Sequence, residues 1–168
     1  MTPNASRHLA TPRAARPDLP ASYGIQPAAS GEGTLPWGFV SERMHSAHNY
    51  WLVTSRRDGR PHAVPLWGVW VDGAFFFSTD AESRKARNLR LNPKVVVHLE
   101  SGDEVVILEG QADVVREAGS QARLDSMYFA KYGFHMEGGP IYRVRVYTAL
   151  AWRERDFPSS ATRFQFQG

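Results

Sequence analysis

The chain contains no cysteine. Disulfides, thiolate nucleophiles and cysteine-based metal sites are thereby excluded, and the sequence carries no mark of redox compartment. Lysine is scarce: three of the twenty basic residues are Lys and seventeen are Arg. Arginine's planar fork suits phosphate and carboxylate oxygens better than a point ammonium does. No apolar run approaches the length needed to span a bilayer. The N-terminus lacks the continuous apolar stretch of a secretory signal, so the cytoplasm is the expected location. The net charge of +3 comes without a long basic stripe. It permits an anionic small-molecule ligand and does not point to nucleic acid.

What is present reads as one domain with a tail. The 168 residues are 42% hydrophobic and 22% charged, ordinary values for a single globular domain. Residues 1–36 are rich in Ala, Pro, Ser and Arg and poor in large apolar side chains, which predicts a disordered or loosely docked tail. Its Arg-rich start is broken by Pro3, Pro12, Pro17 and Pro20 and reads poorly as a transit helix. Trp37 and Phe39 mark the start of an ordered domain over 37–168.

Within that domain the pattern is a meander. Val40–Asn49 reads as a short helix carrying His45 and His48, but no carboxylate sits at a matching position, so no metal site is expected. Tyr50–Ser55, Pro61–Val71 and Phe75–Ser78 read as three antiparallel strands joined by tight turns at Asp58-Gly59 and Asp72-Gly73. Pro65 removes a ladder N–H in the second strand, which places it on an edge or at a bulge. Val95–Glu100 and Glu104–Val115 are the next strands, the latter with a bulge at Gly110. Glu117–Tyr132 reads as a helix stopped by Gly133, with Leu124, Met127 and Tyr128 as its core stripe. Ile141–Trp152 is the sixth strand, with Tyr142, Val144 and Val146 on one face and Arg143 and Arg145 on the other. Phe157–Gly168 reads as an extended tail. The order predicts a mainly β fold, a small antiparallel barrel with flanking helices.

One stretch carries chemistry. Phe75 to Ser78 leads into Thr79, and Glu82 three residues on predicts a capping box with a helix starting near Asp80. Ser83, Arg84 and Lys85 then fall in its first turn or just after it. Free backbone N–H groups and the helix dipole already make that end positive, so two cations there are the wrong charges for helix stability. An anion seated between them, a phosphate above all, would explain the choice. A solvated basic helix is the alternative, since Arg87 and Arg90 continue the run.

Taken together, Trp51-Leu-Val-Thr54, Asp58-Gly-Arg-Pro-His62, Val64-Pro-Leu-Trp67, Phe77-Ser-Thr79, Ser83-Arg-Lys85 and Glu109-Gly110 resemble the pyridoxamine 5'-phosphate oxidase-like superfamily. The match runs over about Tyr50 to Val115. The resemblance implies a homodimeric six-stranded antiparallel split β-barrel binding FMN or coenzyme F420 at the dimer interface. By position, it implies that Ser78, Thr79, Ser83, Arg84 and Lys85 hold the cofactor phosphate, with Val64, Pro65 and Trp67 along the ring system and His62 and Asn88 also among the cofactor-binding residues. His62 stands where the vitamin-making oxidases carry an arginine, and Trp67 near where they carry a lysine. Val105 replaces an expected glutamine, and their substrate-binding Arg and His have no clear counterpart. Vitamin B6 oxidation is therefore not implied.

The run Arg84-Lys-Ala-Arg-Asn-Leu-x-x-Asn-Pro93, which includes Asn88, together with Trp152 and Ala161-Thr-Arg-Phe164, is more similar to the branch that uses F420. That branch reduces double bonds, so the expected substrate is an unsaturated small molecule such as an enone or imine. Arg163 would reach the cofactor or the partner subunit. His62, Tyr128 and His135 are the candidate proton donors. An FMN-dependent oxidase or reductase and a non-catalytic cofactor-binding protein are the alternatives. Single-stranded nucleic acid is not an expected partner, because the aromatic spacing reads as core.

Overall fold

Alternating burial along the strands organises the chain around one interior. The computed structural model describes residues 11–23 and 33–166. Its strands are β1 (Arg13–Ala15), β2 (Tyr50–Ser55), β3 (Pro61–Leu66), β4 (Val69–Val71), β5 (Ala74–Ser78), β6 (Lys94–His98), β7 (Glu104–Val114), β8 (Ile141–Arg153) and β9 (Thr162–Gln165). Its helices are α1 (Trp37–Ser46), α2 (Arg84–Leu91) and α3 (Ala118–Tyr132). In β2 the residues Tyr50, Leu52 and Thr54 point inward and Trp51, Val53 and Ser55 outward, the period-2 pattern of a half-buried strand.

All six predicted strands are present, and every pairing between them is antiparallel. The sheet is mainly β with flanking helices, as expected. β6, β2 and β3 pair in that order on one side, and β7, β8, β5 and β4 pair on the other, with β6 joined to β7. The ring is completed by the covalent link between β3 and β4. The predicted second strand, Pro61–Val71, is thus broken at Trp67 and Gly68. A Cβ on Gly68 would lie 2.3 Å from the Phe75 ring and 2.6 Å from the Phe76 carbonyl oxygen, so the chain can turn inward there only with glycine. β3 ends the main strand path, which gives Pro65 the edge position its missing N–H requires.

The turns follow their residues. Asp72 and Gly73 both adopt positive φ, 49° and 74°, the backbone of a tight two-residue hairpin. Pairing of β7 with β8 slips at Glu109/Gly110, the bulge expected at Gly110. α3 is capped by Glu117, whose carboxylate accepts from the Gly119 and Ser120 backbone N–H groups, and stops at Gly133.

The main core holds Val40 and Met44 from α1 with Tyr50, Leu52, Phe75, Phe77, Val97, Leu108, Val144 and Phe164. A smaller cluster under α3 joins Leu124 to Val69, Val71, Met136 and Ile141, with Met127 and Tyr128 packed against it, so the stripe predicted on that helix is packing.

Both chain ends carry a short strand. Of the predicted loose tail, β1 pairs with β9, and the Arg16 guanidinium donates to the Ser159 and Ala161 carbonyls. Residues 1–10 and 24–32 of that tail lie outside the described residues. The C-terminal stretch carries β9, which pairs with residues 148–151 of β8 and buries Phe164. No helix among the described residues is long and apolar enough to cross a membrane.

Candidate functional site

The strand end and helix tip singled out in the sequence meet, with one correction. α2 begins at Arg84, not near Asp80, and its cap is Ser83. The Thr79–Glu82 capping box does not form. Asp80 outcompetes it locally: its carboxylate accepts the Glu82 N–H at 2.6 Å and holds residues 80–82 in a turn. Ser83 then accepts the Ala86 N–H at 3.2 Å, while the Thr79 hydroxyl donates to Ser83 Oγ at 3.1 Å. Ser83 accepts twice, so its own hydrogen remains to donate.

The later start brings the cations closer to the helix end. Arg84 and Lys85 are the first two helical residues, and the first turn holds no acid. Neither makes an ion pair among the described residues. Burial lowers the Lys85 pKa, and Asp80 only partly offsets it. His62 faces the same group. Burial first, then the charges of Arg56, Lys85 and Arg84, hold its imidazole below the ordinary value. Its Nδ1 is buried without a hydrogen-bond partner, as is Nε of Arg56. Four basic side chains therefore converge with polar atoms unspent, the electrostatics of an anion cradle.

Asn88 fixes α2 to the barrel. Its side chain is buried and donates to Thr54 Oγ1 at 2.9 Å, and Thr54 donates in turn to the His62 carbonyl at 3.5 Å. One polar chain thus ties the helix, β2 and β3 into a fixed frame. Ser78 is spent on the loop opposite, donating to the Gly139 and Pro140 carbonyls at 3.4 Å each. Gly139 packs so closely there that a Cβ would lie 2.0 Å from the Thr79 carbonyl oxygen.

From this cradle the edge strand β3 runs through Val64 and Pro65 to Trp67. Pro65 is exposed and Val64 half-buried. The Trp67 ring stacks on Tyr132 at 4.8 Å, with planes 5° apart, and meets His48 edge-on at 5.7 Å. Its Nε1 donates to Asn49 Oδ1 at 3.2 Å, so the indole is locked in place.

Other predicted residues lie apart. Arg163 is on β9, separated from β3 in the strand order by β8, β7, β6 and β2, and its Nε is buried without a partner. Tyr128 packs in the cluster under α3, its pKa raised by burial. His135 Nδ1 lies 2.7 Å from Asp125, whose other oxygen accepts the Met136 N–H. That pair closes the loop after α3. Of the three candidate proton donors, only His62 faces the cradle. No group of three metal-ligating side chains occurs among the described residues.

The sequence reading missed the buried tie through Asn88 and the inward turn of Lys131. Asn88 stood in the quoted run, but nothing local marks it as buried. Nothing near Lys131 in the sequence sets it apart from any other cation at a helix C-terminus.

Comparison with known proteins identifies the frame. The family model described as Pyridoxamine 5'-phosphate oxidase matches residues 39–156. The chain belongs to that family. The pyridoxamine 5'-phosphate oxidase match covers the barrel, α2 and the cradle, and stops before β9. Among solved structures, a conserved hypothetical protein of Mycobacterium tuberculosis is 26% identical, with a TM-score of 0.66 over 72% of this chain and 86% of that one. An F420 reductase, 18% identical, gives 0.55 over 65% of this chain and 94% of that one. A heme storage protein of Vibrio cholerae, 19% identical, gives 0.54 over 66% and 86%. The last two likenesses are of fold. This oxidase family binds flavin-type cofactors and includes oxidoreductases.

Proposed function

We propose that this chain is an oxidoreductase that binds coenzyme F420 and presents it to an unsaturated small molecule of enone or imine type. The reading rests on one observation: Arg84 and Lys85 open α2 with no acid in its first turn, and His62 and Arg56 close on them with buried, unspent nitrogens. Such a cradle fits a phosphate-bearing cofactor. Fold likeness to an F420 reductase agrees with it.

The bound cofactor supplies the hydride, and the protein's part is to hold and to shield. Arg84 and Lys85 grip the anionic end, and the free Ser83 hydrogen adds a donor. Val64 and Pro65 offer a flat edge with no N–H at Pro65. Trp67, braced by Tyr132 and Asn49, walls off water and orients the substrate. His62 is held neutral near pH 7 and can accept or relay a proton from the Nδ1 that the protein leaves unbonded.

The same reading includes a cytoplasmic homodimer. Trp51 and Val53 of β2 face Val96 and His98 of β6 across the ladder, and all four point outward and stay only half-covered. That strip suits a second copy.

Titrating the protein with F420 and with FMN, followed by fluorescence, tests the reading. Tighter binding of F420 and oxidation of its reduced form by an enone panel are expected. Tighter FMN binding would move the assignment to an FMN-dependent oxidase or reductase. F420 binding without turnover would leave a cofactor-binding protein, and failure of both cofactors to bind would end the site assignment.

A further inference from the structure

A second titratable cluster lies outside the cradle. Lys131, in the last turn of α3, turns its amine toward the barrel. Nζ donates to Tyr50 Oη at 2.7 Å and to the Gly68 carbonyl at 3.3 Å. Tyr50 already donates its own hydrogen to the Met44 carbonyl at 2.6 Å, so toward Lys131 it can only accept. Among the described residues no carboxylate lies within ion-pair range of Lys131. Aromatic faces stand there instead: Nζ is 4.8 Å from the Tyr50 ring centre and 5.2 Å from that of Tyr132.

The amine borders a cleft of about 510 Å³ lined also by His45, Ser46, Val69, Trp70, Met127 and Ala130. Trp70 has its N–H bonded to Ser41, so it shows the cleft an apolar ring. Burial brings the Lys131 pKa down to about 8. The titratable groups around it are Tyr50 on β2, Tyr128 and Tyr132 on α3, His45 in the last turn of α1 and His48 in the link to β2. Burial raises all three tyrosines, Tyr132 to about 12, so none of them supplies a counter-charge. A neutral amine has two N–H groups and one lone pair. Tyr50 and Gly68 take both hydrogens, which leaves the lone pair as the only free valence.

We propose that Lys131 is a reactive-amine site that condenses with small apolar aldehydes entering the cleft between α1 and α3. The nitrogen lone pair attacks the carbonyl carbon, and the C–O π pair moves to oxygen. One proton passes from nitrogen to that oxygen, giving a carbinolamine. The hydroxyl then leaves as water with the second nitrogen proton, and a C=N bond forms. Amine and aldehyde become imine and water, with no change in oxidation state. The apolar lining selects an alkyl aldehyde over a charged one.

The test needs no variant at first, because the chain has only Lys85, Lys94 and Lys131. The full chain is treated with limiting butanal and cyanoborohydride, which reduces the imine to a stable secondary amine, and the adducts are mapped by peptide mass. An amine of pKa about 8 is about one-fifth neutral near pH 7.4, against roughly 0.1% for an ordinary lysine. Lys131 is expected to be alkylated at least ~10-fold faster than Lys94. Ala130 is an exposed residue of the cleft, so Ala130→Trp should fill it and slow Lys131 alkylation to the Lys94 rate without changing the circular dichroism. Lys131 reacting no faster than Lys94 would overturn the proposal, as would an unchanged rate in a folded Ala130→Trp protein.

Discussion

The tip of α2 and the ion-paired surface use arginine in opposite ways. On the outer side of β7 and β8, Arg145 pairs with Asp113 at 2.6 Å, and nearby Arg123 pairs with Asp72 at 3.3 Å. Arg43 meets Glu104 at 2.5 Å and Arg60 meets Asp58 at 2.8 Å. Each of those cations has its anion within the chain. At the tip, Arg84, Lys85, His62 and Arg56 face each other beside a positive helix end, where Asp80 partly offsets Lys85 and Asp58 lies in the field of Arg56. Exposed pairs of the first kind add little to stability and say little about function. A cluster left without its anion is informative because the fold itself gains nothing from it.

This contrast can be broken or sharpened by substitution. The largest effect is expected from Gly139→Val, which drives a side chain into the Thr79 carbonyl and should cost about 3 kcal/mol of stability in chemical denaturation, with loss of cofactor binding. Lys85→Ala should weaken binding of a phosphate-bearing cofactor by about 1.5–3 kcal/mol and leave the unfolding midpoint in place. Equal affinity in the variant and the parent would remove the cradle. Asn88→Ala should cost about 1–2 kcal/mol of stability, because it strips a buried partner from Thr54.

A smaller effect concerns pH. The folded-state pKa of His62 lies below the unfolded value of ~6.5, so on acidification the unfolded chain takes up the proton first. The stability that depends on neutral His62 is present above about pH 6.5 and is lost as pH falls toward the folded pKa. An anion in the cradle reverses the penalty. Cofactor binding near pH 6 should therefore take up a fraction of a proton, seen calorimetrically in two buffers, and His62→Asn should abolish that uptake. Last, Arg145→Ala should change stability by less than ~1 kcal/mol and cofactor affinity not at all.

Much of this arrangement was legible in the sequence because its determinants are local. Turn residues, the alternation in β2 and β7, the Gly110 bulge and the cations after Ser83 all act over a few positions. The start of α2 was misplaced because Thr79 and Asp80 both offer caps, and only the tertiary fold decides which backbone N–H each one meets. The break at Gly68 was hidden for a similar reason. Its cause is the Phe75 ring on the next strand, a neighbour brought close by pairing. Lys131 gave no sign at all, since its partners Tyr50 and Gly68 are far away along the chain. Docking of β1 on β9 was equally silent in a stretch whose composition reads as tail.

The gap between β3 and β4 has a mechanical consequence. Where a barrel wall usually holds itself shut by strand-to-strand ladders, here the Gly68 backbone is pinned by two side chains of one helix: the Tyr132 hydroxyl contacts both its N–H and its carbonyl, and Lys131 reaches the carbonyl as well. The final turn of α3 therefore works as a latch on the seam. Loosening that turn would free the Trp67-Gly68 link to move while every ladder elsewhere stayed intact.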